Sequence, residues 1–220
     1  MHDLTLVIGN KNYSSWSLRP WLLLKQAGIP FREQFIPIRG ANWNTQIRDL
    51  SPSGKVPALI NGDVRVWDSL AICEYLAERF PEKQLWPAAV AARAEARSVS
   101  AEMHSGFMGL RQNMFMNIRR RMPNCGRTPE ALADIERIVA IWNSCRNRYA
   151  SGGPFLFGAF SVADAMYAPV ALRFETYSVK IEGAAGDYAR TLLALPALQE
   201  WVAAAHAEKE QLAHYEPADA

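Results

Sequence analysis

The run Leu4 to Gly9 (LTLVIG) is short, apolar and β-prone, which predicts a buried strand. Polar Asn10 to Ser15 follows it. From Ser17 to Ala27 the apolar side chains of Leu18, Trp21, Leu22 and Leu24 return at helical spacing, and Gly28 and Pro30 supply the stop. Phe31 to Ile38 predicts a second strand on the strength of Phe35, Ile36 and Ile38. Ala41 to Leu50 reads as either a helix or an ordered loop. Asn61-Gly62, between two short β-prone segments, predicts a hairpin whose two turn residues both take positive φ. Asp68-Ser69 opens a helix that runs to Phe80 with Leu70, Ile72, Cys73 and Leu76 available for burial, and Pro81 ends it.

The order β-α-β-α-β-β-α joins a βαβ unit, whose crossover is expected to be right-handed, to a hairpin and a helix. That is the arrangement of a thioredoxin-like α/β domain, assigned to residues 1–81. Residues 82–92 read as a linker. Beyond it, stretches rich in Ala, Met, Leu and Arg at 93–122, 130–150, 161–177 and 196–213 predict helices, broken by Pro123–Gly126 and Ser151–Pro154. Residues 93–220 are therefore read as an all-α domain. No internal repeat or low-complexity tract interrupts this plan.

Charge changes the picture little. With 24 Lys plus Arg against 22 Asp plus Glu, the net charge of +2 gives no field that argues for nucleic acid or an anionic membrane. The one short basic run, Arg119-Arg120-Arg121, reads as a solvated helix face. Cys73, Cys125 and Cys145 lie far apart and form no metal-ligand spacing with the four histidines, so no metal is expected. Sparse cysteines suit a reducing compartment, Met1-His2-Asp3 lacks the features of a signal peptide, and no apolar run approaches the roughly 20 residues of a membrane span. The expected location is the cytoplasm.

Three stretches, in order along the chain, resemble the glutathione transferase superfamily. Asn12-Tyr-Ser-Ser-Trp-Ser-Leu-Arg19 resembles its serine-type active-site segment, nearest to the SSCSxR motif of the zeta class. Ser51 to Trp67 followed by Asp68-Ser69 resembles the "NPxGxVPxL…(E/D)S" glutathione-binding core. Phe155 to Ala165 (FLFGAFSVADA) resembles the "FLxGxxxSxADA" signature of the helical domain. The resemblance implies the two-domain glutathione transferase fold, a homodimer and conjugating chemistry of the detoxifying kind. Glutathione is then a co-substrate, and no cofactor is needed.

On that resemblance the motifs take roles. The Val56-Pro57 bond is expected to be cis, with the N–H and C=O of Val56 offered to the cysteinyl backbone of glutathione as an added strand would be. At the mouth of a helix, Ser69 suits the γ-glutamyl carboxylate and Asp68 the ammonium, although both residues also serve as ordinary caps. Lys55 is the first choice for the glycyl carboxylate, with Trp43 or Asn42 as alternatives.

A free thiol titrates near 8.5, so stabilising its anion calls for hydrogen-bond donors. Ser14, then Ser15, is expected to give that hydrogen bond at the start of the first helix, and Tyr13 is a rival donor. Trp16 replaces the zeta-class cysteine, which counts against zeta-type maleylacetoacetate isomerisation. Pro20 fits only if the helix begins near Ser17, leaving the proline in its first turn.

The small hydrophobic electrophile is assigned to a pocket of Trp16, Met103, Phe107 and Met108, residues that also suit plain core packing. Arg19 reads chiefly as a structural anchor, with a reach to glutathione's glycyl end as the alternative. His104 reads as an ordinary helix histidine. Ser161 and Asp164 form a capping box without chemistry. The function read from the chain is that of a glutathione transferase which steadies the thiolate with a serine hydroxyl. The rivals are a glutathione-dependent isomerase, a non-catalytic glutathione or hydrophobic-ligand binding protein and, last, a disulfide reductase, which lacks a cysteine at the first helix.

Overall fold

The structure is a computed structural model that describes residues 4–40 and 42–216. Strand β1 (Leu4–Ile8) is buried along its whole length because it lies inside a four-stranded sheet of order β2-β1-β3-β4. It pairs in parallel with β2 (Arg32–Phe35) and antiparallel with β3 (Ala58–Asn61), which pairs with β4 (Val64–Trp67). Side chains alternate across a strand. Leu4, Leu6 and Ile8 accordingly join the large core, while Val7 joins a separate cluster with Ile36, Ile47 and Ala58. Helices α1 (Ser15–Gln26) and α3 (Ser69–Arg79) contribute to the first group, and α2 (Trp43–Leu50) closes the second through Ile47.

The stretch read as helix or loop is thus a helix from Trp43 onward, and Ala41 at its head lies outside the described residues. The second strand is shorter than the Phe31–Ile38 run. The hairpin register shifts the turn by one residue. Asn61 pairs with Val64, so the loop is Gly62-Asp63, and only Gly62 takes a positive φ, +57°. Asn61 is the last strand residue, and glycine stands at the first central position of the turn.

Among the described residues six further α-helices follow: α4 (Val90–Ser105), α5 (Met108–Asn113), α6 (Pro129–Tyr149), α7 (Val162–Thr176), α8 (Gly183–Leu193) and α9 (Pro196–Ala207). The single helix expected over 93–122 is broken. Its chain leaves the helix at Gly106, Phe107 turns into the left-handed region, and Arg111 folds back to donate to the carbonyls of Gly106, Met103 and His104. That guanidinium satisfies carbonyls which a helix end leaves without intrahelical partners. Beyond the break α5 presses on the start of α6. A Cβ at Gly109 would stand 2.6 Å from the carbonyl carbon of Glu130, so this approach requires glycine. Helix α8 was not foreseen, since Gly183 and Gly186 weaken its sequence signal. Helix α9 stops at Ala207, short of the expected 213.

Helix α7 runs through the middle of the helical half and contacts α1, α4 and α8. Of its 15 residues only Glu175 is exposed, which explains its lack of a polar face. Its start is pinned by the expected capping box. Fully buried Asp164 accepts from Ser161 N–H at 2.8 Å, Ser161 hydroxyl at 3.1 Å, Leu156 N–H at 3.0 Å and Tyr188 hydroxyl at 3.0 Å. Burial raises its carboxyl to about 6 against the opposing pull of those hydrogen bonds. Among the described residues no helix is long and apolar enough to cross a membrane.

Because the folded carboxyl holds its proton more tightly than the unfolded one, stability from this group is present below about pH 4 and is lost as pH climbs through about 6. Asp164→Asn is therefore expected to be most costly near pH 4. Its penalty should shrink by up to about 3 kcal/mol by pH 7, the linkage value of a two-unit shift. Urea denaturation of both proteins across that range checks the sign.

Candidate active site

A cavity of about 440 Å³ opens where the sheet domain faces the end of α4. Trp16, Ser53, Lys55, Val56, Pro57, Trp67, Asp68, Ser69 and His104 line it. The structure thus brings together five of the six residues expected to hold glutathione, along with Trp16 from the expected electrophile pocket. The Val56–Pro57 bond is cis. Neither the N–H nor the C=O of Val56 has a hydrogen-bond partner among the described residues. The Ser69 side chain is buried, 1 % exposed, and its hydroxyl meets no partner.

Asp68 divides its carboxylate. Oδ1 caps α3 by accepting from the N–H groups of Leu70 and Ala71, at 2.9 and 3.2 Å. Oδ2 lies 2.6 Å from Nε2 of His104, in the last turn of α4. His104 was passed over because 36 residues separate it from Asp68, and no local spacing announces their meeting. The other expected residues lie outside the wall of the cavity. Trp43 packs on the cluster beneath α2, Met103 is fully buried, Phe107 is nearly so, and Met108 is exposed on α5.

Ser14 is the N-cap of α1. Its hydroxyl accepts from Ser17 N–H at 3.2 Å and donates to Ser17 Oγ at 2.8 Å, which also accepts from Gly9 N–H at 3.2 Å. Both Ser14 and Ser15 are buried, and neither borders the cavity. Because α1 starts at Ser15, Pro20 sits in its second turn and not in the first as expected. There it offers no N–H to the carbonyl of Trp16, a loss that the packing of α1 between sheet and α7 tolerates.

The loop before Ser14 is held from the far end of the chain. Glu208 accepts from the N–H groups of Lys11 and Asn12, at 2.5 and 3.1 Å. Fully buried Asn12 bonds Asn117 and Arg119. Tyr13 stacks on Tyr215, and its hydroxyl donates to Glu216 at 2.5 Å and accepts from Arg119 at 2.8 Å and Leu212 N–H at 3.3 Å. Burial, followed by the Glu216 contact, pushes the Tyr13 phenol up. The rival donor is therefore occupied by the tail. Arg119, read as part of a solvated helix face, instead serves this network in an irregular segment.

Two arginines stack on Trp16, and a third, Arg173, meets its neighbour Ser15. The Trp16 ring has Arg19 at 4.3 Å and Arg111 at 4.7 Å, and its edge meets His104 at 5.5 Å. Arg19, fully buried, anchors α1 to α7 by donating from Nε to the Met166 carbonyl at 3.2 Å. Arg173 of α7 returns the contact, donating to Ser15 Oγ at 3.2 Å. Burial, with mutual repulsion behind it, lowers Arg19 well below its ordinary value and Arg173 to about 9. Cys73, near Arg19, is pushed up by burial and stays a thiol. Among the described residues no group of acids, cysteines and histidines is arranged to hold a metal.

Two family profiles match the chain. The glutathione S-transferase N-terminal domain covers residues 13–79 and the glutathione S-transferase C-terminal domain residues 91–204. A stringent starvation protein A homolog of Haemophilus ducreyi is 26 % identical over 168 residues, 75 % of this chain and 72 % of that protein. A probable maleylacetoacetate isomerase of Caenorhabditis elegans is 30 % identical over 96 residues, 44 % of each chain. A glutathione transferase homolog from Burkholderia, crystallised with bound glutathione, has the same fold. Its TM-score is 0.70 at 22 % identity, over 94 % of this chain and all of that one.

With its hydroxyl committed to the tail, Tyr13 is expected to be dispensable for ligand capture. Tyr13→Phe should bind glutathione within about twofold of the parent by calorimetry, while Glu208→Ala, which strands two N–H groups, should lose about 1–3 kcal/mol of stability. A tenfold loss of affinity in Tyr13→Phe would place that phenol in the site.

Proposed function

This chain belongs to the glutathione S-transferase family, and on that premise we propose that it binds glutathione across Val56 and Ser69 and holds the thiolate with the hydroxyl of Ser14. The observation that carries the reading is Ser69. A buried hydroxyl without an acceptor costs about 1–3 kcal/mol, and this one borders the cavity at the first turn of α3. A γ-glutamyl carboxylate satisfies it and gains from the positive end of the helix. Asp68 Oδ2, already facing His104, takes the ammonium, and Lys55 at the rim takes the glycyl carboxylate. The unpartnered N–H and C=O of Val56 pair with the cysteinyl unit.

That placement directs the sulfur toward the amino end of α1. Ser14 now spends its hydrogen on Ser17 Oγ, which has Gly9 N–H as a second donor. Turning the hydroxyl about its Cβ–Oγ bond frees that hydrogen for a thiolate that reaches the buried Ser14 beyond the cavity wall. A thiol lowered by two units would gain about 2.7 kcal/mol, within reach of one charge-assisted hydrogen bond and a helix end. Trp16 and Trp67, with apolar faces in the cavity, offer a surface for a small hydrophobic electrophile. The proposal includes a homodimer working in the cytoplasm.

A second reading, isomerisation of the maleylacetoacetate type, gains from Arg111. Only part of this cation is covered, it stacks on Trp16, and among the described residues its hydrogen bonds go to backbone carbonyls and not to a carboxylate, so it suits an acidic second substrate better than a neutral one.

Titrating bound glutathione by its ultraviolet thiolate absorbance tests the reading. Ser14→Ala is expected to raise the pKa of the bound thiol by about 1–2 units and to lower kcat/KM by about 10–100-fold. Ser69→Ala should weaken glutathione about tenfold and leave that pKa in place. A thiol pKa unchanged in Ser14→Ala would refute the serine's role.

A further inference from the structure

Arg19, Arg111 and Arg173 form an arrangement that the proposed glutathione binding does not use. Arg19 is wholly enclosed, yet only its Nε finds an acceptor, while Nη1 and Nη2 meet none among the protein atoms and do not reach solvent. Each guanidinium carries five N–H donors, and an enclosed one with most of them unmatched is costly. Arg111 lies no more than about 9 Å from Arg19, the sum of their distances to the Trp16 ring. Arg173 comes from α7, where its contacts are the carbonyls of Met114 and Pro169 and the Ser15 hydroxyl.

The acids that act on these cations are committed elsewhere. Asp68 caps α3 and faces His104, and Asp134 accepts from Leu110 N–H. Ser15 and Arg19 stand four residues apart on one face of α1. Because Ser15 Oγ accepts from Arg173, its own hydrogen is left to donate.

We propose that a monovalent anion of halide size binds at the junction of α1 and α7, held by Arg19 Nη1 and Nη2 and by the Ser15 hydroxyl, with Arg111 and Arg173 adding their charge. Negative charge is favoured over a neutral water because Arg19 and Arg111 share the Trp16 ring, Arg173 meets the neighbouring Ser15, and among the described residues no carboxylate forms an ion pair with any of the three. A small ion is favoured because Trp16 covers one face of Arg19 and the surroundings close the rest. The ion neutralises the repulsion between α1 and α7 and so joins the sheet domain to the central helix. None of the residues that hold it is assigned to glutathione, although Ser15 follows Ser14 directly.

The test uses the unaltered protein and no glutathione. Crystals soaked in bromide should show an anomalous peak within hydrogen-bonding distance of Arg19 Nη1 or Nη2 and Ser15 Oγ. In solution, replacing a bulky organic anion by chloride at constant ionic strength should raise Tm by about 5 °C and saturate, as ligand linkage requires. An ordered water with no anomalous signal there overturns the proposal. A bromide peak without any chloride dependence of Tm marks an adventitious ion only and overturns it equally.

Discussion

The contact between α1 and α7 carries the rest of the architecture. Helix α1 belongs to the sheet domain by sequence and to the helical half by packing. Arg19 reaches from it to a carbonyl of α7, and Arg173 reaches back to Ser15. Neither bond pairs opposite charges, so the joint is made of cations on neutral acceptors inside a closed interface. Such a joint holds direction well, because a planar guanidinium tolerates few orientations. It is the reason the amino end of α1, with Ser14 as its cap, meets the cavity at a fixed angle.

The cavity itself is made by convergence of backbone ends. The start of α3, the segment before β3 and the last turn of α4 meet around a few polar groups, and two of these, the Ser69 hydroxyl and the Val56 peptide groups, have no internal use. Their idleness separates a binding site from a turn. A cap alone explains Asp68, whose Oδ1 is spent on α3, but leaves Ser69 unexplained.

Much of this was legible in the chain. β1, the helix after it and the Asp68-Ser69 helix start follow from local patterns, because strand alternation and capping act over a few residues, while the cis Val56–Pro57 bond was implied by the family resemblance. Five of the six residues expected to hold glutathione fell in one cavity because their motif is nearly continuous. Trp43 failed to join them because a tryptophan opening an amphipathic helix is drawn to the apolar cluster under the sheet. What stayed hidden was set by distance along the chain. His104 meets Asp68, Arg173 meets Ser15 and Glu208 meets Lys11 across 36, 158 and 197 residues, and no spacing rule spans such gaps. The broken helix after Ser105 was hidden too, since its cause is the seating of Gly109 against α6, a tertiary demand.

The tail that grips the loop before Ser14 orders events at the ribosome. Residues 10 to 13 emerge more than 100 residues ahead of the groups that hold them, Asn117, Arg119, Glu208 and Glu216. A nascent chain can lay down its sheet early and still lack a settled serine loop until Glu208 has left the exit tunnel. A truncated product that stops before Glu208 would carry most of the fold with the loop before Ser14 untied.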